Sequence, residues 1–431
     1  MGRLIGAYRH HPHHGTPIPQ TVVARWASLT QAQISRLERQ AADQQLDRLA
    51  FWARLLRIPK DLLWFVPTEG EDVLLPPPDV PRLAAGADRL YRGKESLADI
   101  GNAEETDVRR RVILGSLVAA VASPFGAAPG GESATTFDLD QTAAVVAKVR
   151  RAYQHGCYGQ ALRDLPSALT ALSAVAQTIS GDALLAVLTA EAYQVASGLL
   201  LKSDEPSLAA VAAERSIAAA RASGEPLAVA SSVRAVVHGL LAAGHPAQAA
   251  EVAATAAARL ADDVGMRSQQ ELSVYGALLL RGAIAAARAE QRERAGALLN
   301  EAATAARHVG IDGNARWTAF SATNVLAHRV AAAVELGDAG TAVSLAQTVD
   351  LQQMAVPERR AVLLLDTARA LTQWGRYERA LEAIRAAEGH APEEVRSRRP
   401  IRQLISDLGR RCPAPLQRRV HEYAMSVGAP V

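Results

Sequence analysis

A short frame recurs six times after residue 150 of this 431-residue chain, and it narrows what the chain can fold into. In the segment GRYERALEAI, Gly375 is followed five positions on by Ala380 and four further on by Ile384. The same frame occurs at Gly156/Ala161, Asp204/Ala209, Gly244/Ala249, Glu290/Ala295 and Gly337/Ala342, with first positions 48, 40, 46, 47 and 38 residues apart. Each frame follows an apolar helical stretch and opens another. A glycine accepts the positive φ that ends a helix, and a small alanine lets the next helix come close. The repeating unit is therefore a helical hairpin. One hairpin cannot bury both of its faces, so hairpins must pack on one another. Alanine dominates the second half and β-branched alternation is scarce, so the fold class expected is all-α.

The order Gly375, Tyr377, Ala380, Ala387, Pro392 resembles the G-x-Y-x-x-A…A…P pattern of the tetratricopeptide repeat. The resemblance covers roughly residues 138–428. It implies a right-handed α-solenoid of tetratricopeptide-like hairpins over 138–431. The spacing is longer and less regular than that family's period, which predicts longer or divergent helices.

The chain before the repeats divides in two. Residues 1–66 hold nine Lys and Arg against four Asp and Glu, a net +5, while the whole chain carries +3 and the remainder therefore −2. A basic block of this kind has the electrostatics of a nucleic-acid binder. Residues 67–137 read as a linker, with Pro76-Pro77-Pro78 and a Gly- and Ser-rich stretch from Ser123 to Thr136, around one apolar helix from about Glu104 to Ala122. Arg109-Arg110-Arg111 before that apolar run imitates an export signal. It lies deep in the chain, however, and its eleven apolar residues fall short of the about 20 that span a bilayer, so a buried helix is expected and no membrane partner. No signal peptide is visible after Met1, and two distant cysteines, Cys157 and Cys412, fit a reducing cytoplasm.

Within the basic block, Gln20 to Ala27 reads as a short helix with Pro19 at its start. Ser28-Leu29 is a turn, and Thr30 caps a second helix, TQAQISRLER. Ile34 and Leu37 point inward with Val23 and Ala24, leaving Gln31, Ala32, Ser35, Arg36 and Arg39 on the other side. Glutamine pairs bidentately with adenine and arginine with guanine, so this face suits a major groove. The residues Ile18, Gln20, Val23, Ala24, Leu29, Thr30, Ile34, Ser35, Arg36, Leu37 and Glu38 together resemble the helix-turn-helix of lambda-repressor-like, xenobiotic-response-element type regulators. The helical segments that follow, through Phe65, fit that family's fourth and fifth helices. The resemblance covers residues 1–66 and implies a small five-helix DNA-binding domain. Gln31, Ala32, Gln33 and Arg36 would read bases, while Gln20, Thr30, Ser35 and Arg39 hold phosphate or orient the helix. Ser28 and Gln40 stand where the family carries glycine, and the loop before Pro17 is longer than usual, which leaves room for a shifted specificity.

Weaker groupings remain. His10, His11, His13 and His14 lack a cysteine or acid to complete a metal site and are read as a polar loop, so no metal and no cofactor are expected. Trp317, Phe320, Asn324 and His328 put aromatic and polar groups into an apolar segment. They are candidate effector-binding residues by analogy with regulators that join such a domain to such repeats, with ordinary packing as the competing reading. The C-terminal arginines, from Arg396 to Arg419, read as a solvated helical face, with a second nucleic-acid surface as the alternative. No nucleophile, P-loop or metalloenzyme motif is present, so no enzyme is expected.

The sequence as a whole points to a cytoplasmic bacterial transcriptional regulator of actinobacterial style. It would bind double-stranded DNA as a homodimer, and its repeats would mediate dimerisation or sensing of a peptide, small-molecule or protein effector. The alternative is a tetratricopeptide-repeat interaction scaffold whose helix-turn-helix-like module docks to protein rather than DNA.

Overall fold

The computed structural model describes Arg9, residues 18–26, Leu117, Val121, and residues 138–179, 181–310 and 314–430. All secondary structure among them is helical. The chain divides into two compact units, Met1–Gly93 and Lys94–Val431.

In the first unit, α1 spans Gln20–Trp26 and begins directly after Pro19. Val23 and Ala24 are buried, as is Arg9, whose backbone carbonyl accepts a hydrogen bond from the Ile18 amide at 2.8 Å.

In the second unit, successive helices pair as hairpins. The first three pairs are α2 (Leu139–Gln154) with α3 (Tyr158–Thr178), α4 (Ala183–Lys202) with α5 (Pro206–Ser223), and α6 (Pro226–Ala242) with α7 (Pro246–Val264). Then come α8 (Gln269–Arg288) with α9 (Arg292–Ala306), α10 (Ala322–Glu335) with α11 (Ala339–Gln347), and α12 (Pro357–Gln373) with α13 (Tyr377–His390). The short α14 (Pro392–Arg396), α15 (Arg399–Arg411) and α16 (Ala414–Ser426) follow.

Each of the six frames in the sequence marks the turn inside one hairpin. Gly156, Asp204, Gly244, Glu290, Gly337 and Gly375 all have positive φ, between 60° and 81°. The alanine five positions on opens the second helix and is at most 1% exposed in every case. Its methyl group takes up the closest approach between the paired helices, where a longer side chain would hold them apart. Local signals set the other ends. Proline stands in the first turn of α5, α6, α7 and α12, where its missing amide costs nothing. Ser268 and Glu271 form a reciprocal capping box at the start of α8.

Contacts between hairpins follow a simple rule. The first helices of the pairs touch in series: α2 meets α4, then α6, α8, α10 and α12 in turn. Finally α12 returns to α2, which closes the circuit. The second helices pack outside it, each against its neighbours. Leu117 and Val121, four residues apart and fully buried, join the core made by α2 to α5. The helix α4 is long and apolar enough to cross a membrane by length and composition. Half of its apolar window is buried within the fold, where it touches α2, α3, α5 and α6, and it carries Glu191 and Gln194.

Candidate functional site

The circuit of inner helices surrounds a partly open cavity of about 120 Å³, and every one of the six contributes to its wall. The wall is polar. Arg150 comes from α2, Ser197 from α4, Ser231, Arg234 and His238 from α6, Arg281 from α8, Asn324 and His328 from α10, and Glu358 and Arg359 from α12.

Two of the four arginines are neutralised. Arg150 is buried and its guanidinium lies 2.5 Å from Glu191. Arg359 binds Glu358 at 2.6 Å, and burial, which opposes its charge, is outweighed by that carboxylate, so its pKa is raised. Arg234 and Arg281 have no acidic or hydrogen-bonding partner among the described residues. Burial pushes Arg234 down to about 10, with repulsion from Arg150 and Arg359 adding to it. Burial pushes Arg281 down to about 9, helped by Arg359 and Arg234. A guanidinium remains charged at neutral pH even so. Both shifts come first from burial and only then from the neighbouring guanidiniums that face the same space.

The same charges keep the histidines neutral. Burial, then repulsion from Arg281, lowers His238 well below the ordinary value and His328 to about 3. His328 Nδ1 lies 2.8 Å from the Asn324 carbonyl, which can only accept, so Nδ1 carries the proton and Nε2 is a lone pair. Among the described residues, the Oγ atoms of Ser197 and Ser231, the Oε1 of Gln194, the Oδ1 of Asn324 and the Nε of Arg281 are buried without a hydrogen-bond partner. Buried polar atoms are nearly always satisfied. Five such atoms therefore gather on residues that line one polar hollow.

A loop roofs the cavity. Between α9 and α10, Arg316, Trp317 and Ala319 all hold φ between 51° and 60°, a region that non-glycine residues enter at a cost. Contacts across the circuit hold the loop there. Gln154 Nε2 donates to Asn314 Oδ1 and to the Trp317 carbonyl, each at 3.1 Å, and Asn314 Nδ2 donates back to Gln154 at 2.9 Å. Arg316 pairs with Glu225 at 3.0 Å, and the Arg150 guanidinium lies 5.2 Å from the centre of the Trp317 ring.

Beside the cavity, a buried charge cluster joins the first hairpins to the last. Lys202 lies 3.0 Å from Glu358 and also contacts Glu394. Tyr158 donates to Glu394, and Arg398 binds the other oxygen of that carboxylate at 2.8 Å. Burial opposes the charge on Lys202, but Glu358 and Glu394 outweigh it and its pKa is raised. Burial raises the Tyr158 pKa, and the two carboxylates raise it further, so its hydroxyl stays a donor.

Of the residues singled out from sequence, Trp317, Asn324 and His328 meet at this cavity. Phe320 does not join them. It is fully buried in the central core, and its ring lies against Gly276 of α8, so it anchors the roof instead of facing the hollow. Gln20 is the first residue of α1. Thr30, Gln31, Ala32, Gln33, Ser35, Arg36 and Arg39 lie outside the described residues. The C-terminal arginines are mostly paired with acids: Arg396 with Glu388, Arg399 with Asp204, Arg410 with Asp407, Arg418 with Glu422 and Arg419 with Glu378. That pairing fits a solvated helical face and leaves little free charge for a second nucleic-acid surface.

Sequence reasoning passed over Arg234, His238 and Arg281. Arg234 and His238 are four apart in PLAVASSVRAVVHGLLA, polar groups on one stripe of an apolar helix, the same signal that Asn324 and His328 give. No protein-family model and no curated protein matches the chain.

Proposed function

We propose that the protein is a sequence-specific DNA-binding transcriptional regulator whose tetratricopeptide-like hairpins bind an effector. The observation that supports the sensing half is the polar cavity, with two arginines that have no acidic partner and five unsatisfied polar atoms among the described residues, converging from helices far apart in sequence. The DNA half rests on the basic block 1–66 and its resemblance to a helix-turn-helix. In this reading Gln31, Ala32, Gln33 and Arg36 contact base edges, and Gln20, Thr30, Ser35 and Arg39 contact the backbone. A single small domain binds DNA weakly, so the regulator works as a cytoplasmic homodimer on paired half-sites. An effector changes DNA affinity only through a difference in its own affinity for two arrangements of the protein.

Selection from a random duplex library tests the DNA half, with Arg36→Ala and Gln31→Ala variants beside the wild type at one salt concentration. The expected outcome is an enriched motif that changes at particular positions in the variants. Enrichment of nothing above a salt-sensitive background, with and without cell extract, would count against it.

One observation favours an interaction scaffold instead. A second hollow of about 980 Å³ lies between α5, α6 and α7, lined by Ile217, Val229, Val233, Leu240 and Val252 among others, and is mainly apolar. An open apolar groove of this size is what a docking surface for a protein partner requires. Under that reading the duplex selection fails.

A further inference from the structure

We propose that the cavity is a binding site for a small dianion, carrying either a phosphate or two carboxylates, gripped by Arg234 and Arg281. This rests on the reading of the hairpin region as an effector sensor and names the effector's chemical class.

Charge comes first. Four guanidiniums face the cavity; Arg150 pairs with Glu191, and Arg359 pairs with Glu358, a carboxylate it shares with Lys202. Arg234 and Arg281 are left, each raising the cost of the other's charge. A ligand of charge −2 balances that pair, whereas a monoanion leaves one of the two charges without a partner. A neutral or cationic guest gains nothing from the wall. Arginine is also the side chain whose planar fork matches carboxylate and phosphate oxygens two at a time.

Hydrogen bonding points the same way. Ser197 and Ser231 have buried hydroxyls with no partner, and each can turn its proton toward an anionic oxygen. The Asn324 side-chain amide is 4% exposed with its oxygen unpartnered; the amide can rotate to present its N–H₂ instead. The donors thus come from α4, α6, α8 and α10, so a bound anion ties four inner helices together. His328 completes the wall, because an anion favours protonation at Nε2, where the free cavity forbids it.

Size sets the upper limit. The cavity measures about 120 Å³. An apolar cavity of about 150 Å³ holds one benzene, so the hollow takes in about five non-hydrogen atoms of a guest. Inorganic phosphate enters whole; one carboxylate end of a short dicarboxylate enters with the rest of it toward the open side. Trp317 forms part of the lining and stacks on Arg150, so its fluorescence reports on occupancy.

The experiment uses the full chain after exhaustive dialysis into a chloride buffer. Thermal unfolding and tryptophan emission are followed while inorganic phosphate, succinate or neutral succinamide is added, with sodium chloride matching the ionic strength. Phosphate or succinate is expected to raise the Tm by several degrees and to change the emission, and succinamide to do neither. Whichever of the two anions acts identifies the headgroup. A Trp374→Phe variant, whose ring is exposed and away from the cavity, should keep both the Tm shift and the emission change. Arg281→Met and Arg234→Met should abolish both responses. Each variant should also be at least as stable as the wild type without ligand, because it removes unbalanced charge. A purely structural arginine would show the opposite, a loss of stability in the ligand-free variant. If neither dianion acts beyond matched chloride, or the response survives the Arg281→Met/Arg234→Met double variant, the proposal is wrong. No DNA enters the assay, so this outcome is independent of the duplex selection.

Discussion

At the scale of single residues, the site depends on side chains that the core would reject without their particular neighbours. Gly276 is one case. A Cβ built there would lie 2.0 Å from the Phe320 ring, so the helix α8 and the roof loop approach each other through the missing side chain. We predict that Gly276→Ala costs about 1–3 kcal/mol in chemical denaturation and that shortening the ring, by Phe320→Leu in the same chain, recovers part of it. The neutral histidines give a second expectation, with a definite sign. The unfolded chain takes up a proton on His328 near the ordinary value of 6.5, but in the folded protein the proton is refused until about 3. In that interval the unfolded state binds more protons, so stability falls as the pH drops. The loss should begin near pH 6.5 and be on the order of 1 kcal/mol per histidine by pH 5.5, with His238 adding in the same direction. Urea midpoints at pH 7.5, 6.5 and 5.5 check it, since a His328→Gln variant should have a flatter profile than the wild type. Asn324 and His328 were legible as an odd polar stripe in the sequence. Arg234 and Arg281 were equally visible as residues but not as a pair, because nothing in the chain says that positions 47 apart face one hollow. Phe320 misled for a physical reason: one aromatic ring in an apolar segment looks the same in sequence whether it faces a ligand or a glycine.

At the scale of elements, the hairpin turns were the most legible part of the chain. Positive φ at a fixed distance before a buried alanine is a local requirement, so a local pattern reports it. Asp204 and Glu290 sit at the same position as the four glycines and adopt the same backbone, with φ of 67° and 60°. An L-residue pays roughly 1 kcal/mol for that conformation. We predict that Glu290→Gly stabilises the protein by about 0.5–1 kcal/mol and that Gly375→Ala destabilises it by about the same amount. Both are read from denaturation midpoints. Equal effects of the same sign from the two substitutions would show that something other than backbone conformation governs these turns. Boundaries were less legible than turns. The roof between α9 and α10 breaks the hairpin rhythm, and its path is fixed by Gln154 and Glu225, residues that lie 160 and 91 positions away from their partners Asn314 and Arg316.

At the scale of the hairpin unit, the consequential feature is that the circuit of inner helices closes, which neighbour-to-neighbour repeat patterns do not encode. A linear array of repeats gains stability only from adjacent units and tends to unfold in pieces. Here α12 touches α2, and the Lys202–Glu358–Glu394–Arg398–Tyr158 cluster ties the early hairpins to the late ones. Glu358 and Glu394 are 3% and 0% exposed at the side chain, so each depends on its cations to remain charged. Among the described residues, Lys202 is the cation that pairs with both. Replacing it by methionine keeps the volume but removes the ammonium that both carboxylates share, leaving Glu358 to Arg359 and Glu394 to Arg398. We predict a cost of about 1.5–3 kcal/mol, the loss of a hydrogen-bonding partner from two charged groups that each keep one arginine. The loss should also divide the unfolding. In a chain with Trp26, Trp52 and Trp64 replaced by phenylalanine, so that emission comes from Trp317 and Trp374 alone, far-ultraviolet circular dichroism and tryptophan emission should trace one coincident urea transition for this unit. In Lys202→Met they should separate, because the seam no longer couples the ends. Without the ammonium, the remaining carboxylates hold their protons more readily. Lowering the pH from 7.5 to 5.5 should therefore narrow the gap between variant and wild type. A variant that unfolds in a single coincident step would show that the closure carries no coupling and that stability along the unit is set by neighbours alone.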